Sequence, residues 1–482
     1  MNLIDPLHDH VVRRPGQPAV ITPQGSLSWM QLDRLLWSCA RQLHILGVRQ
    51  ADGVGMTLQH PLLHLVASLA LTRLGAAQVA LPASDSEAQR LAIHQRLGLR
   101  WVLCDTPQAA TLPGSLLLDA LQPADLSPAE RAALRADDEA LTWLILQSSG
   151  TTGAPKLAAL TQGQALARAR QPWMGCGPLD VLWSAPRLDF SAFKQRIVYA
   201  LHSGAAVCLP LGLKMDPTML NFLNQSRATL GTGTPSQLRA ILALQPKARL
   251  LAHLRGFVVS TEPSSPALRQ SFRARVCPHL HEAYGSNESF ILSMATPALQ
   301  LQVPESVGLP LPGVQLQVVD TEGRELPSGE VGQIRARGPG VVDGYLGDPQ
   351  ATARAFRDGW FYPGDLGRQT PAQGLVLMGR VDDMMIFDGI NIYPAEIENV
   401  LLDHPAVQEA AAFPVQRPGM GQVPVAAVVL RAPATVDELL AHCRQRLGAK
   451  HPRALRIVGE LPRNAMGKVL KRELARGPQA AH

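Results

Sequence analysis

Helix-like segments alternate with short, wholly apolar strands over roughly the first 300 residues, and this alternation restricts the folds open to the chain. Apolar side chains recur at helical spacing in residues 26–48, and further helical segments cover 61–74, which stops at Gly75, and 86–97. Parallel sheets need helical crossovers and are covered on both faces, so their strands are apolar throughout. The apolar runs that fit this description are residues 76–81, 101–104, 141–146, 181–184, 206–209 and 257–260. The pattern therefore predicts layers of parallel α/β structure.

After about residue 308 the sequence changes from wholly apolar runs to segments in which apolar and polar residues alternate. Alternating segments at 314–319, 332–337 and 374–378 are separated by turn residues, which predicts antiparallel strands of a small β-barrel. A last unit contains a helix over 394–403, a strand over 424–430, a helix over 436–447 and a terminal segment that ends near Leu474. We therefore predict an α/β protein with a large N-terminal domain (1–381), made of layered α/β subdomains plus the barrel, and a small mobile α+β C-terminal domain (382–482).

Charge, cysteine and hydropathy patterns exclude several classes of protein. The net charge is +6 without a dense run of Lys or Arg, so a nucleic-acid partner is not expected. Six cysteines lie far apart with no C-x-x-C pair, which argues against a zinc knot or a disulfide framework and fits a reducing compartment. The most apolar stretch, 62–82, is interrupted by His64, Arg73 and Gln78, and no secretory signal is recognisable. We expect a cytoplasmic protein that does not use a membrane.

The segment that follows strand 141–146 has the composition of a phosphate-binding loop. It consists of Gln147, Ser148, Ser149, Gly150, Thr151, Thr152, Gly153, Ala154, Pro155 and Lys156. Glycines let backbone N–H groups approach phosphates closely, hydroxyls add donors, and the lysine adds a positive charge. Because the lysine follows a proline, the segment is not a loop of the G-x-x-x-x-G-K-[ST] type. Taken alone, it also fits an ordinary turn rich in Gly, Ser and Thr.

Four further motifs follow the loop. They are Tyr284-Gly285-Ser286-Asn287-Glu288, Gly359-Trp360-Phe361-Tyr362-Pro363-Gly364-Asp365, Gly379-Arg380-Val381-Asp382 with Tyr393-Pro394-Ala395-Glu396, and Asn464-Ala465-Met466-Gly467-Lys468. Together with the loop they closely resemble, in order, the signatures of the adenylate-forming superfamily: acyl- and aryl-CoA synthetases, luciferases and the adenylation domains of peptide synthetases. The resemblance spans residues 147–472. Its Tyr-Pro-Ala-Glu ending is closer to acyl- and aryl-CoA ligases than to peptide-synthetase domains.

The resemblance implies that ATP and Mg²⁺ are used and gives the second motif a nucleotide-binding role. By this likeness Tyr284 stacks on adenine, Gly285 and Asn287 contact the nucleotide, and Glu288 helps to hold Mg²⁺. A hard cation suits a carboxylate beside phosphates. This chain has Asn287 where the family usually has threonine.

The remaining motifs are implied to complete the catalytic site. Asp365 accepts both ribose hydroxyls, Arg380 contacts the nucleotide, and Asp382 is the hinge between the two domains. Lys468 bridges the substrate carboxylate and the α-phosphate, where a cation offsets the repulsion between two anions.

The substrate segment departs from the family pattern. Asp189 stands where CoA ligases usually have an aromatic residue or histidine, whereas peptide-synthetase domains have an aspartate there that holds the substrate's ammonium group. Asp189 therefore indicates an amino-acid substrate, or else it pairs with Arg187 or Lys194 and never meets the substrate. Phe190 and Phe193 are candidates to line an apolar acyl pocket. A second departure is Ser260-Thr261-Glu262-Pro263, where a Gly-Gly-Glu-like segment that contacts adenine is common.

Three functions are open from the sequence. The favoured one is ATP-dependent activation of an aryl or short- to medium-chain carboxylic acid to acyl-AMP, then transfer to the thiol of CoA or of a carrier protein's phosphopantetheine. The second is a free-standing amino-acid adenylating enzyme that loads a separate carrier protein. The third is a degenerate nucleotide-binding protein, motivated by Leu157, Asn287 and Pro363, which replace usual family residues.

Overall fold

The computed structural model describes residues 1–118, 121–148, 155–172, 174–184, 188–244, 251–262, 264–372, 374–388, 390–417, 421–463 and 469–476, apart from the side chains of Gln108 and Ser148. The helices before residue 381 are α1 (Pro6–Arg13), α2 (Trp29–Ile45), α3 (Pro61–Leu74), α4 (Glu87–Leu97), α5 (Pro128–Ala133), α6 (Gln162–Ala169), α7 (Ser191–His202), α8 (Pro217–Gln225), α9 (Pro235–Ala243), α10 (Pro266–Arg275), α11 (Pro297–Gln302) and α12 (Pro349–Ala355).

The strands of the same part of the chain fall into two sheets. They are β1 (Pro18–Thr22), β2 (Gly25–Ser28), β3 (Gly53–Thr57), β4 (Ala77–Ala80), β5 (Trp101–Cys104), β6 (Ser115–Leu117), β7 (Thr142–Ser148), β8 (Lys156–Thr161), β9 (Val181–Trp183), β10 (Ala206–Cys208), β11 (Leu230–Gly233), β12 (Gly256–Val259), β13 (Leu280–Ser286), β14 (Phe290–Ala295), β15 (Ser306–Pro310), β16 (Gln315–Val319), β17 (Gly332–Arg337), β18 (Phe356–Arg357), β19 (Trp360–Phe361), β20 (Asp365–Gln369) and β21 (Leu375–Arg380).

The first sheet has the order β6-β5-β3-β4-β7-β8 and is parallel except for the β7–β8 pair. Helix α3 packs into the core beside it. Every residue of α3 from His64 to Leu74 is buried, including the polar side chains of His64 and Arg73. The helix ends at Gly75 (φ +69°), where an added Cβ would lie 2.7 Å from the Cβ of Ala136, so only glycine fits this cap.

The second sheet contains a reversal of strand order that matters for the site. Its parallel part runs β1-β10-β9-β11-β12-β13. The chain leaves β9 towards β10 on one side, whereas β11 continues to β12 and β13 on the other. Ligands of open α/β sheets bind at the carboxyl ends of the strands, where the order reverses in this way. The boundary between β9 and β11 is therefore the expected place for a small molecule.

Helices cover both faces of this parallel part. Leu182, Leu230 and Val258 of β9, β11 and β12 belong to the same core cluster as Ile197, Val198 and Leu201 of α7. Their sequence neighbours Trp183, Phe257 and Val259 belong to a second cluster with residues of α8, α9 and α10, such as Leu223, Leu238 and Phe272. The alternation follows from the period of two in a strand, so even-numbered residues of β9, β11 and β12 face α7.

The antiparallel strands predicted after residue 308 are present, and they continue the second sheet rather than standing apart from it. β13 pairs with β14, β14 with β15 and β15 with β21, after which the path runs through β20, β17, β19 and β18, with β16 beside β17. The edge that carries β13 is thus joined directly to the strands that carry the third and fourth motifs.

The last part of the chain has a core of its own. Its elements are β22 (Met385–Phe387), β23 (Ile390–Ile392), α13 (Pro394–Leu402), β24 (Val407–Arg417), β25 (Gly421–Leu430), α14 (Val436–Leu447), β26 (Ala454–Ile457) and α15 (Lys471–Arg476). Met385, Ile397, Val407 and Leu439 are fully buried in one cluster of this unit. The α/β fold class and the smaller C-terminal unit predicted from the sequence are confirmed.

Most predicted elements agree with the structure to within one to three residues, and the largest difference is at α2. The apolar period predicted a helix over 26–48, but residues 25–28 form β2, and the Ser28 side chain caps α2 in a capping box with Gln31. The helix stops before Gly47 (φ +102°). No helix in the described part of the chain combines the length and apolar composition that a bilayer crossing requires.

Candidate active site

The second motif and the phosphate loop come together at the carboxyl edge of the parallel strands. The Asn287 side chain donates from Nδ2 to the carbonyl oxygen of Gln147, at the end of β7, over 2.7 Å. Ser148 pairs with Lys156 across the β7–β8 ladder, so the predicted loop connects two adjacent antiparallel strands. Ser149, Gly150, Thr151, Thr152 and Gly153 lie outside the described residues.

A buried carboxylate and an amine lie on either side of one tyrosine. The Tyr345 hydroxyl donates to Oε1 of Glu288 at 3.0 Å, and Nζ of Lys156 is 4.8 Å from the centroid of the Tyr345 ring. Burial, followed by the negative charge of Glu288, raises the pKa of Tyr345, so the hydroxyl stays a donor. In the described residues no group of three or more His, Cys, Asp or Glu side chains could hold a metal ion. Mg²⁺ at nucleotide sites is commonly held by one or two carboxylates plus phosphates, which fits Glu288.

Arg168 of α6 holds the backbone of this motif in place. It donates to the carbonyl oxygens of Gly340 (2.7 Å), Asn287 (3.1 Å) and Glu288 (2.8 Å), and to Oε1 of Gln195 (2.8 Å). Burial lowers the pKa of Arg168 to about 10, which leaves it charged at neutral pH. With every nitrogen paired, the guanidinium fixes Glu288 relative to the loop from β7.

Tyr284, Asp365 and Arg380 form a second hydrogen-bonded group. The Tyr284 hydroxyl donates to Oδ2 of Asp365 at 2.7 Å, and Nη1 of Arg380 donates to Oδ1 at 2.8 Å. Burial lowers the pKa of Arg380, but the neighbouring Asp365 carboxylate, together with Tyr284 and Asp382, more than offsets this effect, and the pKa lies above its ordinary value. Each oxygen of Asp365 keeps a lone pair for a further donor, such as a sugar hydroxyl.

Gly285 lies at a point of close approach between β13 and β14. A Cβ at this position would collide with the carbonyl oxygen of Phe290. The glycine of the motif therefore has a structural cause independent of any ligand.

The predicted acyl-pocket residues separate into two groups. Phe190 and Phe193 pack edge to face with centroids 6.3 Å apart, and the neighbouring Ser191 hydroxyl donates to Oδ1 of Asn287 at 2.9 Å. Asp189 instead lines a cavity of about 230 Å³ with Met56, His64 and Pro82, among others. These two groups lie within five residues of each other, at the start of α7.

Asp189 also lies close to a buried amine. Burial lowers the pKa of Lys194 to about 7, and the Asp189 carboxylate partly offsets that effect. Nζ of Lys194 is 3.5 Å from Sδ of Met56 and 3.5 Å from Oε1 of Gln78. Asp189 thus has a cationic neighbour within the protein.

The last motif is only partly described. Lys468 lies outside the described residues, in the segment 464–468. The residues that flank this segment, Arg463 and Val469, form an antiparallel β-bridge. Asp382, predicted to be the hinge, is exposed and lies in the short 3-10 turn Val381–Asp383 between β21 and β22.

A network of four charged side chains connects the two parts of the chain beside that last motif. Arg463 donates to Oε2 of Glu262 (2.9 Å) and to Oε2 of Glu409 (2.8 Å), and Arg239 lies 3.2 Å from Oε1 of Glu409. Glu262 and Arg239 belong to the N-terminal part, whereas Glu409 and Arg463 belong to the C-terminal part. Burial raises the pKa of Glu262, and the positive charge of Arg463 opposes that rise. We name these residues the interdomain ion network.

Sequence reasoning missed Arg168, Tyr345 and the interdomain ion network. Arg168 lies two residues from the exposed Arg170, and composition alone does not separate them, although the apolar neighbours Ala165, Leu166 and Ala169 mark its face of α6 as buried. The departure at Leu157 is explained by packing, because its side chain is fully buried in a cluster with Val79 and Ile145.

Comparisons with known proteins agree with this geometry. Residues 7–346 match the family of AMP-binding enzymes, and residues 396–468 match the AMP-binding enzyme C-terminal domain. A 2-succinylbenzoate–CoA ligase from Geobacillus kaustophilus is 31% identical over 461 residues, which covers 91% of this chain and 90% of that protein.

Solved structures show the same fold over nearly the whole chain. ATP-bound MatB from Rhodopseudomonas palustris superposes with a TM-score of 0.87 at 26% identity, covering 99% of both chains. The o-succinylbenzoate CoA synthetase of Bacillus subtilis, in complex with its acyl-adenylate intermediate, gives a TM-score of 0.85 at 25% identity, covering 98% of this chain and 97% of that one. The chain belongs to the AMP-binding enzyme family and is an adenylate-forming ligase that activates a carboxylic acid with ATP before transferring the acyl group to a thiol.

Proposed function

We propose that this enzyme activates an aryl or short- to medium-chain carboxylic acid and transfers the acyl group to CoA. The observation that carries the proposal is one connected edge of the fold. There, Arg168 ties the Asn287–Glu288 backbone to α6, Asn287 reaches the end of β7, and Tyr284 reaches Asp365. Motifs far apart in the chain are thereby joined at one edge of the sheet, where ligands of α/β folds bind.

In the first half-reaction an oxygen of the substrate carboxylate attacks the α-phosphorus of ATP, and pyrophosphate leaves. The loop from Ser148 to Lys156 holds the leaving phosphates, with Lys156 supplying a positive charge. Asp365 accepts the ribose hydroxyls, and Arg380 contacts the nucleotide while it holds Asp365 in place. By the family resemblance, the positive charge of Lys468 would lower the repulsion between the two anions that must approach each other.

Mg²⁺ bound by Glu288 and the phosphates would neutralise charge as pyrophosphate departs. Tyr345 orients the Glu288 carboxylate through its hydroxyl. Tyr284 places its ring beside the base while its hydroxyl holds Asp365.

In the second half-reaction the thiolate sulfur attacks the carbonyl carbon of acyl-AMP, and AMP leaves as a phosphate anion. We propose that the domains, 1–381 and 382–482, change their relative orientation about Asp382 between the two steps. Its exposed position in a short turn between separately packed units is where backbone rotation disturbs the least packing.

CoA is favoured as acceptor because the curated relative is named a CoA ligase. A carrier protein's phosphopantetheine presents the same thiol and remains the second acceptor. An amino-acid substrate is less favoured, because the Asp189 carboxylate that would hold its ammonium group already has Lys194 nearby. Free thiols at all six cysteines fit the reducing cytoplasm, where CoA is found.

ATP–pyrophosphate exchange with aryl acids, fatty acids and amino acids tests the proposal. We expect exchange with aryl or fatty acids, CoA-dependent release of AMP, and loss of exchange in Lys468→Ala with thiolysis of supplied acyl-AMP largely kept. The matched control is Lys214→Ala at an exposed site. Exchange with amino acids alone refutes the proposed substrate class. Absence of exchange with every acid refutes the proposed function.

A further inference from the structure

Arg196 of α7 is a fully buried guanidinium whose hydrogen bonds are incomplete. Its side chain is 3% exposed, and its hydrogen bond within the described residues is from Nη2 to Oγ of Ser260 at 2.7 Å. Nε and Nη1 have no hydrogen-bond partner in the described residues. No acidic side chain in that part of the chain forms an ion pair with Arg196, and burial lowers its pKa to about 10. A buried charge in this state is strongly unfavourable unless something else pairs with it.

The position of Arg196 is at the reversal of strand order. Ser184, Thr232 and Ser260 lie at the carboxyl ends of β9, β11 and β12, on the face that α7 covers, and all three are buried. The hydroxyls of Ser184 and Thr232 are 2.8 Å apart. These three hydroxyl side chains and Arg196 lie where α/β sheets bind ligands. We call these four residues the polar floor.

The same floor is continuous with the acyl side of the crevice. The guanidinium carbon of Arg196 lies 5.8 Å from the centroid of the Phe193 ring, and Phe193 packs against Phe190. Ser191, one turn earlier in α7, contacts the nucleotide-side residue Asn287. Lys194 faces another way, towards Met56 and Gln78, so the two buried cations of α7 serve different surroundings.

We infer that Arg196 binds a second carboxylate of the substrate, at the end remote from the carboxylate that reacts, so that the enzyme selects dicarboxylic acids. This inference rests on the proposed function. A guanidinium presents N–H donors in pairs that match a carboxylate: Nε with Nη2 along one edge, and Nη1 with Nη2 along another. Within the described residues Nε and Nη1 have no partner, and Nη2 has a second N–H beside the one that it donates to Ser260, so either edge can receive a carboxylate. The hydroxyls of the floor can donate to the same anion. Arg196 is thus a specificity-determining residue, and the reacting carboxylate lies on the Asn287 side.

The test compares pyrophosphate exchange with pairs of acids that differ by one carboxylate, namely benzoate with terephthalate and hexanoate with adipate. The wild-type enzyme is expected to favour the diacid at least tenfold in kcat/KM in one pair. Arg196→Met is expected to lower that ratio by about ten- to hundredfold, through the diacid alone. Arg196→Lys should restore part of it, and the exposed Arg170→Met serves as the matched control.

A wild-type preference for the monoacid in both pairs, or an unchanged ratio in Arg196→Met, overturns the inference while leaving the proposed function intact. Absence of exchange with every acid refutes the proposed function instead. In that case, calorimetric titration of terephthalate and of adipate into the enzyme tests the inference independently of catalysis. Binding that Arg196→Met abolishes supports it, and no binding to the wild type overturns it.

Discussion

Two buried arginines lie on the proposed nucleotide side and the proposed acyl side of the site, and they differ in how completely they are hydrogen-bonded. Arg168 donates to three backbone carbonyls and a glutamine, whereas Arg196 has one serine partner and two nitrogens without a partner among the residues that the structure describes. Burial lowers the pKa of both to about 10. Arg168 therefore holds the surrounding backbone in place, whereas Arg196 has N–H donors available for a ligand, although the two side chains are similarly buried. The two roles, anchoring and ligand binding, are distinguished by how many of the N–H donors have hydrogen-bond partners and not by how deeply the side chain is buried.

The largest effect is expected on the nucleotide side. Arg168→Met leaves the carbonyls of Gly340, Asn287 and Glu288 without their donor, so the free energy of unfolding should fall by about 3–5 kcal/mol. Urea denaturation measures this loss, and pyrophosphate exchange should fall with it because Glu288 is no longer held. Arg170→Met is the control. Wild-type stability in Arg168→Met would contradict the anchoring role.

A second expectation concerns Lys194, the other buried cation of α7. Its pKa of about 7 in the folded state lies below the ordinary value of 10.5, so the unfolded chain binds more protons between these values. Stability should therefore rise as pH increases above 7, by up to about 1.4 kcal/mol per pH unit.

The effect of Lys194 on stability is measurable up to pH ~8.5, because above that pH the buried thiols make stability fall as pH rises. Burial raises the pKa of Cys39 and of Cys208 to about 12, so the unfolded chain loses those protons first. His64, whose pKa is lowered by burial, titrates below the window. Urea denaturation of Lys194→Met at several pH values should show a flatter profile, and an unchanged slope would exclude Lys194 as its source.

The smallest effect on stability is expected at Arg196 itself. Replacing a buried charge that has few partners by an apolar side chain of similar length is often neutral or stabilising. Because Ser260 is the one hydrogen-bond partner of Arg196 among the described residues, Arg196→Met should unfold at an equal or higher urea concentration. A destabilisation as large as that of Arg168→Met would remove the distinction between the two arginines.

The sequence predicted local elements well where their ends are chemically marked. Helix α14 was expected over 436–447 and has those bounds, because Thr435 and Glu438 form a capping box at its start. Strand β17 was expected over 332–337 and likewise has those bounds. Apolar periodicity and capping residues depend only on neighbours in the sequence, so the bounds of these elements can be predicted without knowing the tertiary structure.

The sequence could not show which distant side chains pair. Tyr284 and Asp365 are 81 positions apart, and Arg168 and Glu288 are 120 apart, so these contacts arise from the order of strands in the sheet. The family resemblance supplied ligand roles for Tyr284 and Asp365 but no contact between them. Arg196 precedes an apolar run that continues through Leu201, and a charged residue beside such a run is the signal that could have identified it.

The interdomain ion network has a consequence for the timing of the two half-reactions. Arg463 joins Glu262 of the N-terminal part to Glu409 of the C-terminal part, so the proposed rotation about Asp382 would separate Arg463 from Glu262. Glu262 is mostly shielded from solvent, and its carboxylate would be left without its main counter-charge until the domains returned. The proposed rotation between adenylation and thiolysis would then require an ion pair to break, and its rate should depend on dissolved salt in a way that the chemistry of either step does not.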